Sequence, residues 1–164
     1  MSSAQFRTFR VELIGSFVAI PIDGELGFGR VIRKANLACY DIKAATVLSL
    51  EEIARAPVLF VVGVHYDAFT SGRWRNIGKK PLEPEFERPV KFFRQDVVTG
   101  DVDIYQEGKF FAHTDEDLTQ MECLASWDLH HVESRLRNHF AGLPDPNTES
   151  LRYKTPGAFR GLGC

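Results

Sequence analysis

Cysteine is scarce in this chain: Cys39, Cys123 and Cys164 are the three in 164 residues, and no two form a Cys-x-x-Cys pair. An odd, scattered set excludes a disulfide framework and the usual zinc spacings. Cys39 and Cys123 are therefore expected as small core residues of a protein from a reducing compartment. Long apolar runs are missing as well. The stretch from Leu13 to Ile22 is broken by Gly15, Ser16 and Pro21 and is too short to span a bilayer. The opening MSSAQFRTFRVELIG lacks the shape of a signal peptide. The expectation is a soluble, cytoplasmic protein with no membrane partner. Charge of either sign is also nearly absent in excess, the net value being −2, which argues against a whole-chain attraction to nucleic acid or anionic lipid.

Catalytic signatures are missing too. There is no GxSxG and no HExxH, and Gly24, Gly27 and Gly29 spell GxxGxG, not the dinucleotide order. That glycine segment leads into a strand, so no helix N-terminus waits for a phosphate. His130 and Glu133 would share one helix face, but a metal would need two more ligands from elsewhere, and the neighbours His130 and His131 point apart. They read as solvated or hydrogen-bonded helix residues. No catalytic, cofactor-binding or metal-ligating set emerges.

Phenylalanine is what the chain has in plenty, 13 residues against 2 methionines, a bias that leans toward strand. Two blocks carry most of the information. Ser16 to Ile22 is a β-rich run, Asp23-Gly24 a hairpin turn, and Leu26 to Arg33 the returning strand, with Gly27 and Gly29 marking a bulge or bend. Leu37 to Lys43 alternates as a third strand. Ser49 with Glu52 predicts a capped helical turn ending before Pro57. Val58 to Val64, continuously apolar, predicts a central strand buried on both faces. In the second block Arg73 to Ile77 follows as a strand, and Pro81, Pro84 and Pro89 make 78–89 an extended connection.

Strands are expected next at Val90 to Gln95, Asp101 to Gln106 and Phe110 to Ala112. Thr114 with Asp117 approximates a capping box for a helix running to about Met121. Trp127-Asp128 opens the clearest helix, with Leu129, Val132, Leu136 and Phe140 on its apolar face and Gly142 and Pro144 as its stop. The organisation read from these signals is one domain over residues 1–143 and a loose or peripherally docked tail over 144–164, where Arg152, Lys154 and Arg160 stand without an acid after Leu151. The fold class is α+β: a curved, mainly antiparallel sheet, able to close part-way into a barrel, with C-terminal helices packed on one side.

Two clusters draw attention as sites. His65 and Asp67 end the apolar strand, where a carboxylate can tune a histidine in a small enzyme. Arg73, Trp74 and Arg75, with Lys79 and Lys80, could bind nucleic acid by stacking and phosphate contact. The structural alternative seats Trp74 in the core and pairs one arginine with Asp67 or Asp41. Arginine, tryptophan and tyrosine also dominate protein–protein hot spots.

The hairpin FVAIPIDGELGFGRVIR, the segment LFVVGVHYDAFTSGRWRNIGKKPLE and the late WDLHHVESRLRNH together resemble the Immunity protein 26 family, whose members accompany polymorphic toxins in bacteria. The family's hairpin and GRV strand match Ile20-Pro21-Ile22, Asp23-Gly24 and Gly29-Arg30-Val31. Its G-R-W, Trp-Asp and V-E-x-R-L elements match Gly72-Arg73-Trp74, Trp127-Asp128 and Val132 to Leu136. Its Asp-Asp after the central strand appears here as Tyr66-Asp67, and the C-terminal tail is extra. The resemblance implies an α+β fold and a non-enzymatic protein that binds and neutralises a cognate toxin, with no cofactor. On that reading Tyr66, Asp67, Arg73 and Arg75 are the contact candidates. Asp101, Asp103, Asp115 and Glu116 would form an acidic face suited to a basic substrate groove, although acids at a helix start also serve as caps.

Overall fold

The computed structural model describes residues 12–34 and 36–156. The sequence readings at 1–11, Arg160 and Cys164 lie outside the described residues. The described residues divide into two compact units, one within residues 12–87 with 125–145 and the other within 88–124 with 146–156.

The first unit is built on a six-stranded mixed sheet in the order β5-β1-β2-β3-β4-β9. Its strands are β1 (Ser16–Ile22), β2 (Glu25–Arg33), β3 (Asn36–Ala44), β4 (Val58–Val64), β5 (Arg75–Lys79) and β9 (Ser126–Trp127). Asp23 and Gly24 both take positive φ, 46° and 80°, which is the turn geometry that matches the twist of a two-residue hairpin. Ile22 therefore faces Glu25 across the turn. The expected irregularity in β2 is present: its register with β3 shifts between Gly27 and Gly29.

Two helices cover the two faces. α1 (Leu50–Arg55) starts with the anticipated capping box, Ser49 Oγ accepting from the Glu52 N–H and a Glu52 carboxylate oxygen accepting from the Ser49 N–H. Its Ile53 packs with Phe17, Ala19, Phe28 and Tyr40. α3 (Leu129–Ala141) lies against the other face, where a Cβ at Gly27 would stand 3.2 Å from a Leu136 methyl. A larger residue at this position would press on the Leu136 and Ile22 side chains. With both faces covered, β1 and β2 are the most enclosed strands.

That enclosure corrects the reading of β4. It lies between β3 and the two-residue β9, and its side chains alternate: Phe60, Val62 and Val64 are buried, whereas Leu59 and Val61 on the other face are half-buried, and Val58 at the strand start is exposed. β5 starts two residues later than expected, at Arg75. Trp127 belongs to β9, paired in parallel with Val64, and α3 begins after it. Asp128 is its N-cap as expected, accepting from the His130 N–H at 2.8 Å. Leu129, Val132 and Leu136 are buried on α3 as predicted, but the fourth fully buried residue is Glu133, not Phe140. The sheet is open at β5 and β9, so no closed barrel forms among the described residues.

The second unit holds a three-stranded antiparallel sheet, β6 (Lys91–Gln95), β7 (Val102–Gln106) and β8 (Lys109–Ala112). Phe93, Ile104 and Leu118 form its core, with Val102, Met121, Cys123 and Tyr153 packed on them. No helix starts at Thr114. Glu116 accepts from the Thr114 N–H and Asp117 from the Thr119 N–H, and such local side-chain bonds offer the backbone an alternative to a helical turn. In the C-terminal region α4 (Pro146–Leu151) forms. Tyr153 then meets Phe93 edge-on at 6.3 Å, and the Lys154 backbone exchanges two hydrogen bonds with the Gln95 side chain.

Candidate partner-binding surfaces

Two charged side chains that a sequence reading places on the surface are enclosed in the first unit. Arg30, in the middle of β2, has no exposed surface. Its guanidinium donates to the Lys80 and Pro81 carbonyl oxygens at 3.0 and 2.7 Å and pairs with the Glu83 carboxylate. It also lies 4.4 Å from the centre of the Phe17 ring. Arg33 adds a bond to the Glu87 carbonyl oxygen at 2.6 Å. The proline-rich connection is thus fastened across β2 by two arginines. Burial raises the pKa of the neighbouring Tyr40 hydroxyl, with Arg30 opposing. The signal available in the sequence was the arginine set between Phe28-Gly29 and Val31-Ile32, an apolar and small stretch on both sides of it.

The second enclosed charge is Glu133. Arg73 grips its carboxylate with two nitrogens, at 2.6 and 2.7 Å, and the Trp74 indole N–H donates to the same group at 3.0 Å. Burial pushes the Glu133 pKa up, but the bonds from Arg73 and Trp74 outweigh it and hold the carboxyl below its usual range. A planar guanidinium is suited to this double contact. Trp74 is buried, as the structural alternative anticipated, but the arginine beside it pairs with Glu133 and with neither Asp67 nor Asp41. Asp41 instead meets His139 at 2.9 Å. The helix α2 (Asp67–Thr70) sets Phe69 edge-on to Trp74 at 6.0 Å. Two sequence elements far apart in the chain, Gly72 to Trp74 and Val132 to Leu136, therefore meet through one carboxylate.

Around that junction Tyr66 is half-buried at the N-cap of α2, while Asp67, Arg73 and Arg75 are exposed. His65 and Asp67 do not share a strand face, because β4 ends at Val64 and α2 begins at Asp67. A nucleic-acid patch loses its stacking group, since Trp74 is buried. Its lysines are engaged too: Lys79 with the Glu12 carbonyl oxygen at 2.8 Å and Lys80 with Glu51 at 3.2 Å.

In the second unit Asp103 pairs with Arg94 at 2.5 Å. The Arg94 guanidinium lies 3.9 Å from the Phe110 ring centre, and Tyr105 packs on Phe110 at 5.2 Å. The β6–β7 loop is closed by Asp96, whose carboxylate accepts from the Val98 and Thr99 N–H groups, each at 2.8 Å. Those bonds hold its pKa below the ordinary range. Beside the loop runs an open groove of about 640 Å³ lined by Arg94, Asp96, Val97, Thr99, Asp101 and Asp103 among others. Asp115 is exposed. Glu116 accepts from the Thr114 N–H at 3.1 Å and meets Lys91 at 3.4 Å. Backbone N–H donors, with Lys91 adding to them, hold its pKa at about 2. Among the described residues no three His, Cys, Asp or Glu side chains gather as metal ligands would, and no helix is long and apolar enough to cross a membrane.

This is a small α+β protein in which the Gly72 to Trp74 and Val132 to Leu136 elements hold the fold together through Glu133. The family model for Immunity protein 26 matches residues 14–102, more than half of the chain, and the protein belongs to that family. No curated protein and no solved structure matches it.

Proposed function

We propose that this protein protects its own cell by binding a cognate toxin domain in the cytoplasm and blocking it, without catalysis of its own. The observation that carries this reading is the family match over residues 14–102. The physics required is that of a protein inhibitor: a surface already in shape before binding, covering on the order of 1,200–2,000 Å² in total. Rigidity supports the reading. Arg30 and Glu133 fasten the connection and the helix α3 in the first unit, so little ordering entropy remains to be lost on association. Contacts are drawn from Tyr66, Asp67, Arg73 and Arg75 in the first unit and from Asp101, Asp103, Asp115 and Glu116 in the second.

The test is co-expression with a toxin-like domain found encoded next to this gene. Survival and co-purification of a complex are the expected results. Equal killing with and without this protein would discard the proposal.

A further inference from the structure

The second unit presents a surface different in kind from any in the first. In the register of its sheet Arg94 faces Asp103, and Tyr105 faces Phe92 on one side and Phe110 on the other, so these five side chains share the face opposite the Phe93–Ile104 core. Exposure rises across that face from β6 to β8: Phe92 is 4% exposed, Tyr105 half-buried and Phe110 46% exposed. The opposite side of β8 leaves Phe111 51% exposed, and the β6–β7 loop leaves Val97 and Val98 at 72% and 87%. β8 is also an edge strand, with no partner beyond it among the described residues. Exposed apolar residues on an open edge are a liability unless something covers them.

The exposed ring is not loose. Phe110 is held between the Arg94 guanidinium and Tyr105, and Arg94 is held by Asp103. Arginine, tyrosine and phenylalanine locked by each other are the side chains that anchor protein interfaces, and their order is settled before binding.

Charge decides the occupant. Between Arg88 and Leu124 eight acids stand against four bases, and two of those bases, Lys91 and Arg94, already answer Glu116 and Asp103. Asp96 and Asp101 line the groove beside the platform. A second copy of this chain would bring like charge to like charge, whereas a basic protein surface would find complementary charge and an aromatic anchor together.

We infer that the β8 side of this sheet, with Phe110 and Tyr105 as anchors and the groove at Asp101 joined to them through Arg94, is the docking surface for a basic face of the cognate toxin. The inference rests on the toxin-binding reading above and assigns that reading a surface and a partner chemistry. Lysine or arginine side chains of the toxin enter the groove at Asp96 and Asp101 while Phe110 fills an apolar notch between them.

The experiment measures binding of a purified toxin domain, the one that the wild-type protein neutralises on co-expression, to the wild-type protein, to Phe110→Ala and to Asp101→Lys. Melting curves recorded alongside show that the variants are folded. Phe110→Ala should weaken binding by about 30-fold and Asp101→Lys by about 10-fold, with wild-type association slowing as salt is raised. Binding of both variants within about threefold of a tight wild type would overturn the surface and leave the toxin-binding reading standing. No binding by the wild type would remove both. A wild-type dimer in sedimentation that Phe110→Ala dissolves would also overturn the inference, giving the face to a second copy.

Discussion

The two units use the same side chains in opposite ways. In the six-stranded unit each group of an arginine, an aromatic ring and a carboxylate has one charge enclosed: Arg30, with Phe17 and the half-exposed Glu83, and Glu133, with Trp74 and the half-exposed Arg73. In the three-stranded unit Arg94, Phe110 and Asp103 make a similar triplet in the open, with Arg94 and Asp103 side chains 53% and 45% exposed. Enclosed, such a group fixes one chain segment to another, because an uncompensated buried charge is costly. Exposed, it contributes little to stability and remains available to a partner. Residue type alone therefore does not separate scaffold from contact; burial does.

Substitutions should widen that contrast, beginning with the deepest charge. Arg30→Ala removes the guanidinium that holds the Lys80 and Pro81 carbonyls and is expected to cost about 3–5 kcal/mol, read by chemical denaturation. A cost under about 1 kcal/mol would mean that the connection is held by other contacts.

Arg73→Ala comes next, at about 3 kcal/mol near neutral pH, because it strands the Glu133 carboxylate in the core. Glu133→Gln should cost less, about 1–2 kcal/mol, since Arg73 is partly exposed and can return to water. The two differ in pH dependence as well. The wild-type Glu133 pKa is lowered by folding, so its contribution is present above the unfolded-state pKa and is lost as pH falls through the folded value. Arg73→Ala lacks that contribution, and its deficit against wild type should shrink as the solution is acidified.

Glu116 tests the second unit by the same linkage. Its pKa is lowered from 4.5 to about 2, so it stabilises the fold above pH 4.5 and that contribution disappears as pH falls toward 2. Glu116→Gln should lower stability near neutrality, with a deficit that shrinks as pH falls from 4.5 toward 2, flattening the acid limb of the stability curve in that window. An unchanged acid limb would show that the backbone donors do not hold this carboxylate in solution. The smallest effect is expected at Asp103→Asn, within about 0.5 kcal/mol on stability. A large loss there would break the contrast between the units by showing that the exposed triplet also holds the fold.

Local signals in the sequence carried much of the architecture. Asp23-Gly24, Ser49 with Glu52, and Asp128 each dictate a backbone conformation within a few residues, and each acts in the structure as its chemistry requires. The misreadings arise where a long-range partner decides. Val58 to Val64 is apolar enough to be central, but its place beside the short β9 is set by a segment more than 60 residues further on. Thr114 and Asp117 have helix-starting chemistry and use it on local turns instead. Glu133 sits on the stripe between Leu129 and Leu136 and was legible as a buried position by spacing alone. Its charge hid it, because its partners Arg73 and Trp74 lie about 60 residues away. Phe110 to Ala112 carries only a plain strand signal in the sequence; that Phe110 faces outward depends on the register of the sheet.

The interleaving of the units along the chain governs how the protein can be shortened. Residues 125–145 complete the first unit only after 88–124 have been made, and 146–156 then return to the second. A stop codon after Leu124 would deprive the first unit of β9 and α3 and the second of Tyr153 in one stroke. Separating the two bodies for study therefore calls for a circular permutation or a spliced loop in place of 88–124, not a simple truncation. A recombination event that exchanged only the C-terminal third between relatives would replace part of both cores at once.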